Sequence, residues 1–158
     1  MRALVALLSV EDVRDALGEQ VRLHPSAQHE AVRSIGSIIA AAASDAAYRS
    51  FSGQLVLAGV ERPVAVGQMV LVFDAEDKAE KTFTSVAQAA HLRTRLQECQ
   101  VAVETAATGG LVSYWGYVHR GKSIVVLTLD TLDPQVLSMT SFRSLVTGVA
   151  EKLARAEG

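Results

Sequence analysis

The run "GLVSYWGYVHRGKSIVVLTLDTLDP", Gly110 to Pro134, constrains the fold more than any other part of the chain. Two β-rich segments, Leu111 to Val118 and Ser123 to Thr131, are separated only by "HRGK". A loop that short, with Gly121 in it, closes an antiparallel hairpin, because a parallel pair needs a crossover of a dozen residues or more. The spacing predicts a hairpin with His119, Arg120 and Lys122 at its tip. The segment "SIVVLTL" is apolar on both faces, which marks a central strand covered on one side by the terminal helix.

A second pair of β-rich runs, "QLVLAGV" and "VAVGQMVLVF", flanks "ERP" and predicts another antiparallel hairpin with Pro63 in its turn. "VAVET" is a further short strand, and "ATGG" is the loop after it. Helices are marked by caps and by a 3.6-residue period. Ser9 precedes "VEDVRDAL" and Gly18 follows it, with Glu11 and Asp12 favouring the positive end. In "AQHEAVRSIGSIIAAAASDAAYRSF", Val32, Ile35, Ile39, Ala42 and Ala46 recur at helical spacing, although Gly36 weakens that reading and "SIIAAAA" also suits a buried strand. Asp74 and Asp77 stand in the first turn of a helix whose buried face carries Ala79, Phe83, Val86 and Ala90. Leu92 and Leu96 drift off that stripe, so its last turn bends or ends early. Ser138 or Thr140 opens a last helix striped by Phe142, Leu145, Val146, Val149 and Leu153.

The order is helix, helix, strand, strand, helix, three strands, helix. Hairpins with helices between them predict one α+β domain over residues 1–158: an antiparallel sheet of about five strands, with helices mainly on one face. A chain of 158 residues is one domain by size and buries roughly two-thirds of its unfolded surface. With 49% hydrophobic and 20% charged residues and three prolines, it has the composition of a compact fold.

The 15 basic and 17 acidic residues leave a net charge of −2, and the basic groups, Arg93 with Arg95 and Arg120 with Lys122, are too small to form the stripe that nucleic-acid binding needs. No run reaches the roughly 18 apolar residues of a membrane span. The opening "MRALVALLSV" is followed by "EDVRD" where a leader's cleavage site belongs. Cys99 is the only cysteine, which excludes an intrachain disulfide and the usual cysteine-based metal sites but does not fix the compartment.

No cofactor signature is present. Gly109 and Gly110 precede a strand, whereas a phosphate loop follows a strand and opens a helix, and no nucleophile elbow occurs. His24, His29 and His91 have no metal-ligand partner at a recognisable spacing, and no base is identifiable beside Cys99. Asp130 and Asp133 are too few for calcium, and Asp133 with Pro134 is explained by a turn. The candidate ligand-binding residues are Trp115, Tyr117, His119 and Arg120, since aromatic faces and a guanidinium fork suit an anionic or aromatic ligand. Strand alternation divides them: Trp115, Tyr117 and His119 share one face, Tyr114, Val118 and Arg120 the other. The plainer account is that the aromatics pack under the final helix while the cations solvate a turn.

The segments "LLSVEDVRDALG", "VGQMVLVFDAEDKAEKTF" and "VHRGKSIVVLTL" with the terminal helix, over the part from Tyr48 to Leu153 above all, resemble the extracytoplasmic sensor domains of actinobacterial membrane Ser/Thr kinases and related cell-envelope lipoproteins. The resemblance implies binding or sensing at the bacterial envelope, without catalysis, by a curved antiparallel sheet whose concave face and helices form a cleft. Those domains commonly carry paired cysteines, whereas Cys99 here stands alone.

Three functions are therefore set against one another. The first is a non-catalytic, sensor-like domain binding a small ligand or a protein at Trp115, Tyr117 and His119. The second is an interaction subunit that self-associates into a homo-oligomer through a strand edge or an alanine-rich helix. The third is a small enzyme with His119 as general base, Asp130 orienting it and Arg120 stabilising negative charge. In that enzyme Asp130 lies some eight residues past the hairpin tip, which places it more than about 20 Å from His119 along the sheet. The location is extracytoplasmic if the resemblance holds, and cytoplasmic if Met1 is the true start.

Overall fold

The protein was analysed as a computed structural model, which describes residues 2–26 and 42–157. Its centre is a seven-stranded, wholly antiparallel sheet in the order β1-β2-β3-β7-β6-β5-β4. The strands are β1 Val21–Ser26, β2 Asp45–Leu57, β3 Val60–Val72, β4 Leu92–Leu96, β5 Cys99–Thr108, β6 Leu111–Arg120 and β7 Ser123–Thr131. The helices are α1 Val10–Leu17, α2 Glu76–Val86 and α3 Met139–Glu157, preceded by a 3-10 turn at Ala3–Ala6. The α+β single-sheet class expected from the hairpins is the observed one.

Alternation along the strands divides the core in two. On one face Leu55, Val66, Val70, Val103, Val118, Val125 and Leu127 pack against the 3-10 turn, α1 and α3. On the other, Met69, Leu71, Ala102, Tyr117, Ile124 and Val126 pack against Ala79, Phe83 and Ala87 of α2 and the turn after it. β7 is the middle strand and is buried on both faces, as "SIVVLTL" requires. α3 buries Phe142, Leu145, Val146, Val149 and Leu153 as its stripe predicts. α1 begins at Ser9, whose hydroxyl accepts from the Asp12 N–H while the Asp12 carboxylate accepts from the Ser9 N–H, a reciprocal capping box.

Four expectations need correction. The sheet has seven strands rather than about five, the additions β1 and β4 being its two edges. Most of the segment expected as a second helix, with Val32, Ile35 and Ile39, lies outside the described residues, but Ala46 to Phe51 belongs to β2, where pairing with Leu71 to Val66 overrides alanine's helix propensity. The first hairpin turns at Ala58-Gly59, not at Pro63, which pairs with Gln54 inside β3. β7 reaches only to Thr131 opposite Val64, so Pro63 lies where β3 has one neighbour and its missing N–H is harmless. Ala90 is not on α2: the helix ends early, at Val86, as the drift of Leu92 and Leu96 off its stripe signals, and those two residues are already in β4.

Ala58 (φ 49°) and Gly59 (φ 79°) both adopt the left-handed conformation of a two-residue hairpin turn, which an alanine tolerates poorly. Ala58→Asn is expected to raise stability by about 0.5–1 kcal/mol, read as a higher urea midpoint at unchanged slope, because asparagine enters that region at lower cost. An unchanged or lower midpoint would show that the turn is not strained.

Candidate functional site

β6 distributes the sequence-predicted residues as alternation requires. Tyr114 faces α3, where its ring stacks on Phe142 (centroids 5.4 Å apart) and its hydroxyl donates to the Leu137 carbonyl at 3.0 Å. It is thus Tyr114, and not Trp115 or Tyr117, that packs beneath the final helix. Tyr117 and His119 lie on the other face, where α2 covers them. Tyr117 is 2% exposed and His119 8%. The His119 ring stacks on Phe83 at 5.4 Å, its Nε2–H donates to the Gly121 carbonyl at 2.9 Å, and Nδ1 lies 3.2 Å from Oε1 of Gln100.

Arg120 is on the α3 side. Its Nη1 donates to the Gln97 carbonyl at 2.8 Å, Nη2 lies 3.6 Å from Glu98, and Nε lies 4.0 Å from Glu157 near the end of α3. Gln97 (φ 51°) and Glu98 (φ 64°) form the tight β4–β5 turn, so Arg120 holds a turn whose two residues are both left-handed. Neither His119 nor Arg120 is a freely solvated turn residue; Lys122 is the exposed cation at the tip.

Trp115 packs against the core of this face but is only partly buried. It stands directly opposite Glu104 on β5 and Thr128 on β7. Glu104 is positioned in turn by Tyr117, whose hydroxyl donates to Oε1 at 2.8 Å. Burial, reinforced by the Glu104 charge, pushes the Tyr117 phenol far above its ordinary value, so it remains a donor at any physiological pH. Sequence reasoning passed over Glu104, yet the signal was present. A two-residue turn at Gly109-Gly110 pairs Thr108 with Leu111, and counting back four residues along each strand sets Glu104 against Trp115.

His119 and Asp130 are not brought together. His119 is opposite Ile124, and Asp130 lies six residues farther along β7, a separation of roughly 20 Å at strand rise. Asp133 accepts an ion pair from Arg62 at 3.2 Å and donates its N–H to the Thr131 hydroxyl, which fits its turn role. Among the described residues no group of three or more His, Cys, Asp or Glu side chains could hold a metal ion. His24 and His91 are exposed, and His29 is outside the described residues. Cys99 is fully buried with Sγ 3.8 Å from the Ala150 carbonyl, and burial pushes its thiol up, away from the reactive thiolate. No described helix is long and apolar enough to cross a membrane.

A concavity of about 290 Å³ lies away from these residues, between α1 and α3, where Asp12, Asp15, Glu151, Lys152 and Arg155 line it with both signs of charge. Its best-placed pair already neutralises itself, Lys152 Nζ being 3.1 Å from Asp12.

No family model and no curated protein matches the chain. Among solved structures, the fold is similar to that of the extracellular domain of PknH from Mycobacterium tuberculosis, with a TM-score of 0.53 at 8% identity over 96% of this chain and 95% of that one. At that identity the likeness is one of fold: both chains place nearly their whole length in one such α+β arrangement.

Proposed function

We propose that this protein is a non-catalytic binding domain of the sensor type, which takes its ligand on the α2 side of the sheet at Trp115. Tyr117 and His119 hold the site from beneath α2, and Arg120 fixes the neighbouring turn from the opposite face. The observation that carries this reading is the contrast along one strand face. Tyr117 and His119 are buried and hydrogen-bonded, while Trp115, two residues on, keeps open surface beside an anchored carboxylate. The fold likeness to a domain named as extracellular supports a sensor-like role outside the cytoplasm, which protease accessibility on intact native cells would check.

Trp115 is the single tryptophan, so its fluorescence reports the site alone. Acrylamide is expected to quench it efficiently in the folded protein, and Trp115→Ala is expected to keep the fold with a loss of about 1–2 kcal/mol, since only part of the ring is buried. An unquenched, blue-shifted emission would show a sealed indole and would remove the site.

Self-association is the second reading. The described sheet ends on β1 and β4, each with one strand partner. Light scattering at two concentrations separates the readings, since a persistent monomer excludes obligate assembly.

A further inference from the structure

We propose that Trp115 and Glu104 form a recognition site for an organic ammonium group, which names the ligand class of the binding face proposed above and rests on that reading. The two residues are a directly opposed pair on adjacent antiparallel strands, which sets their Cβ atoms about 5 Å apart on one face. An indole face attracts cations through its quadrupole, and tryptophan does so best among the aromatic side chains. A carboxylate beside it adds a full negative charge. Anions are repelled by the same pair.

Three further features favour a cation from outside the chain. Glu104 is half-buried and its Oε1 is held by the Tyr117 hydroxyl at 2.8 Å, so the carboxylate is oriented before any ligand arrives. Among the described residues no cation forms an ion pair with it. Arg93, on the neighbouring strand and the same face, is turned elsewhere: its Nη2 donates to the Ala87 carbonyl at 2.7 Å, just past α2. Finally, the next pair along the strands toward the Gly109-Gly110 turn is Ala106 opposite Ser113. Two small side chains there leave a low shelf by which a methylated or primary ammonium can reach the ring and the carboxylate together.

The test uses the whole chain with choline chloride as the probe and sodium chloride at equal ionic strength as the control, read by Trp115 emission. Saturable quenching or a spectral shift with choline alone is expected. Glu104→Gln should weaken it at least 10-fold while keeping the acceptor for Tyr117, and an unchanged thermal midpoint will show that this variant is folded. No saturable response to choline, or an equal response in Glu104→Gln, overturns the ammonium site. Parallel titrations with glucose and with sodium acetate separate the two readings. A response to either without one to choline refutes the cation and leaves a binding face at Trp115, whereas acrylamide failing to reach the indole refutes both.

Discussion

Phe142→Ala is expected to lower the unfolding free energy by about 4 kcal/mol, toward the upper part of the range for large aromatic truncations. Phe142 is fully buried in the first turn of α3 and stacks on Tyr114. Its ring lies over Gly116: a Cβ placed at Gly116 would come 3.1 Å from Phe142 Cζ and from Val146 Cγ2. α3 therefore docks on bare backbone of β6, closer than any side chain would allow. When the ring is removed, the cavity has a strand backbone as its floor, and Gly116 has no side chain to move into it. The cost depends on how well a site can collapse, and this one collapses poorly. Urea unfolding followed by circular dichroism gives the loss. Trp115 on the opposite face supplies an independent probe, and the two transitions should coincide if the sheet and its helices unfold as one unit. A loss below about 2 kcal/mol would show that α3 is not held chiefly by this contact.

The same contact shows why parts of the fold were legible. The stripe from Phe142 to Leu153 has one period and one buried face, and the helix follows from it. The β6–β7 hairpin is legible because its connection is short and contains Gly121, whereas for the first hairpin the paired strands are legible but the turn is not, since it lies at Ala58-Gly59 and not at Pro63. The two edge strands are not legible. "VRLHPS" and "LRTRL" are short and pair on one side only: β1 alternates buried Val21 and Leu23 with exposed Arg22 and His24 for just four residues before Pro25, and β4 buries no residue fully, so neither run is long enough to stand out. Ala46 to Phe51 misled for a different reason: alanine fits a helix by propensity, and a strand there is imposed by pairing with β3, which is a non-local cause.

The candidate site divides in the same way. Period 2 placed Trp115, Tyr117 and His119 on one face and Arg120 on the other, as the strand shows. Which of those side chains remains open depends on how far α2 reaches across the sheet. α2 stops at Val86, so it covers Tyr117 and His119 more completely than Trp115, and no local pattern in β6 encodes that limit. The roles of Tyr117 and Arg120 as holders of Glu104 and of the Gln97 turn likewise appear only once partners distant in sequence are side by side.

Gln68→Leu is expected to cost about 3 kcal/mol, a large effect for a near-isosteric change. Gln68 is 1% exposed in the middle of β3, where alternation calls for an apolar residue like its neighbours Val66 and Val70 on that face. Its side-chain amide substitutes for a strand neighbour: Oε1 accepts from the Leu8 N–H at 2.7 Å and Nε2 donates to the Leu8 carbonyl at 2.9 Å. Arg49 Nη1 donates to the same carbonyl at 3.1 Å. The opening segment is thereby fixed to the sheet through side chains, with Asp45 accepting from the Ala3 N–H at 2.9 Å, and Ala3, Ala6, Leu7 and Leu8 are buried in the core. Four of the six residues of the apolar run "ALVALL" are thus core, while Leu4 and Val5 face outward. Leucine at 68 would leave the Leu8 N–H without an acceptor, at about 1–3 kcal/mol for a buried orphan, and would leave Arg49 as the carbonyl's remaining donor. Removing both members of a buried pair can be neutral, but here one member is backbone and cannot be removed. Hydrogen exchange at the Leu8 amide supplies the decisive measurement. The variant should lose most of that amide's protection while amides in the β6–β7 hairpin fall only by the global loss. If Leu8 protection is unchanged, the segment is held by its apolar contacts, and Gln68 is merely tolerated in the core.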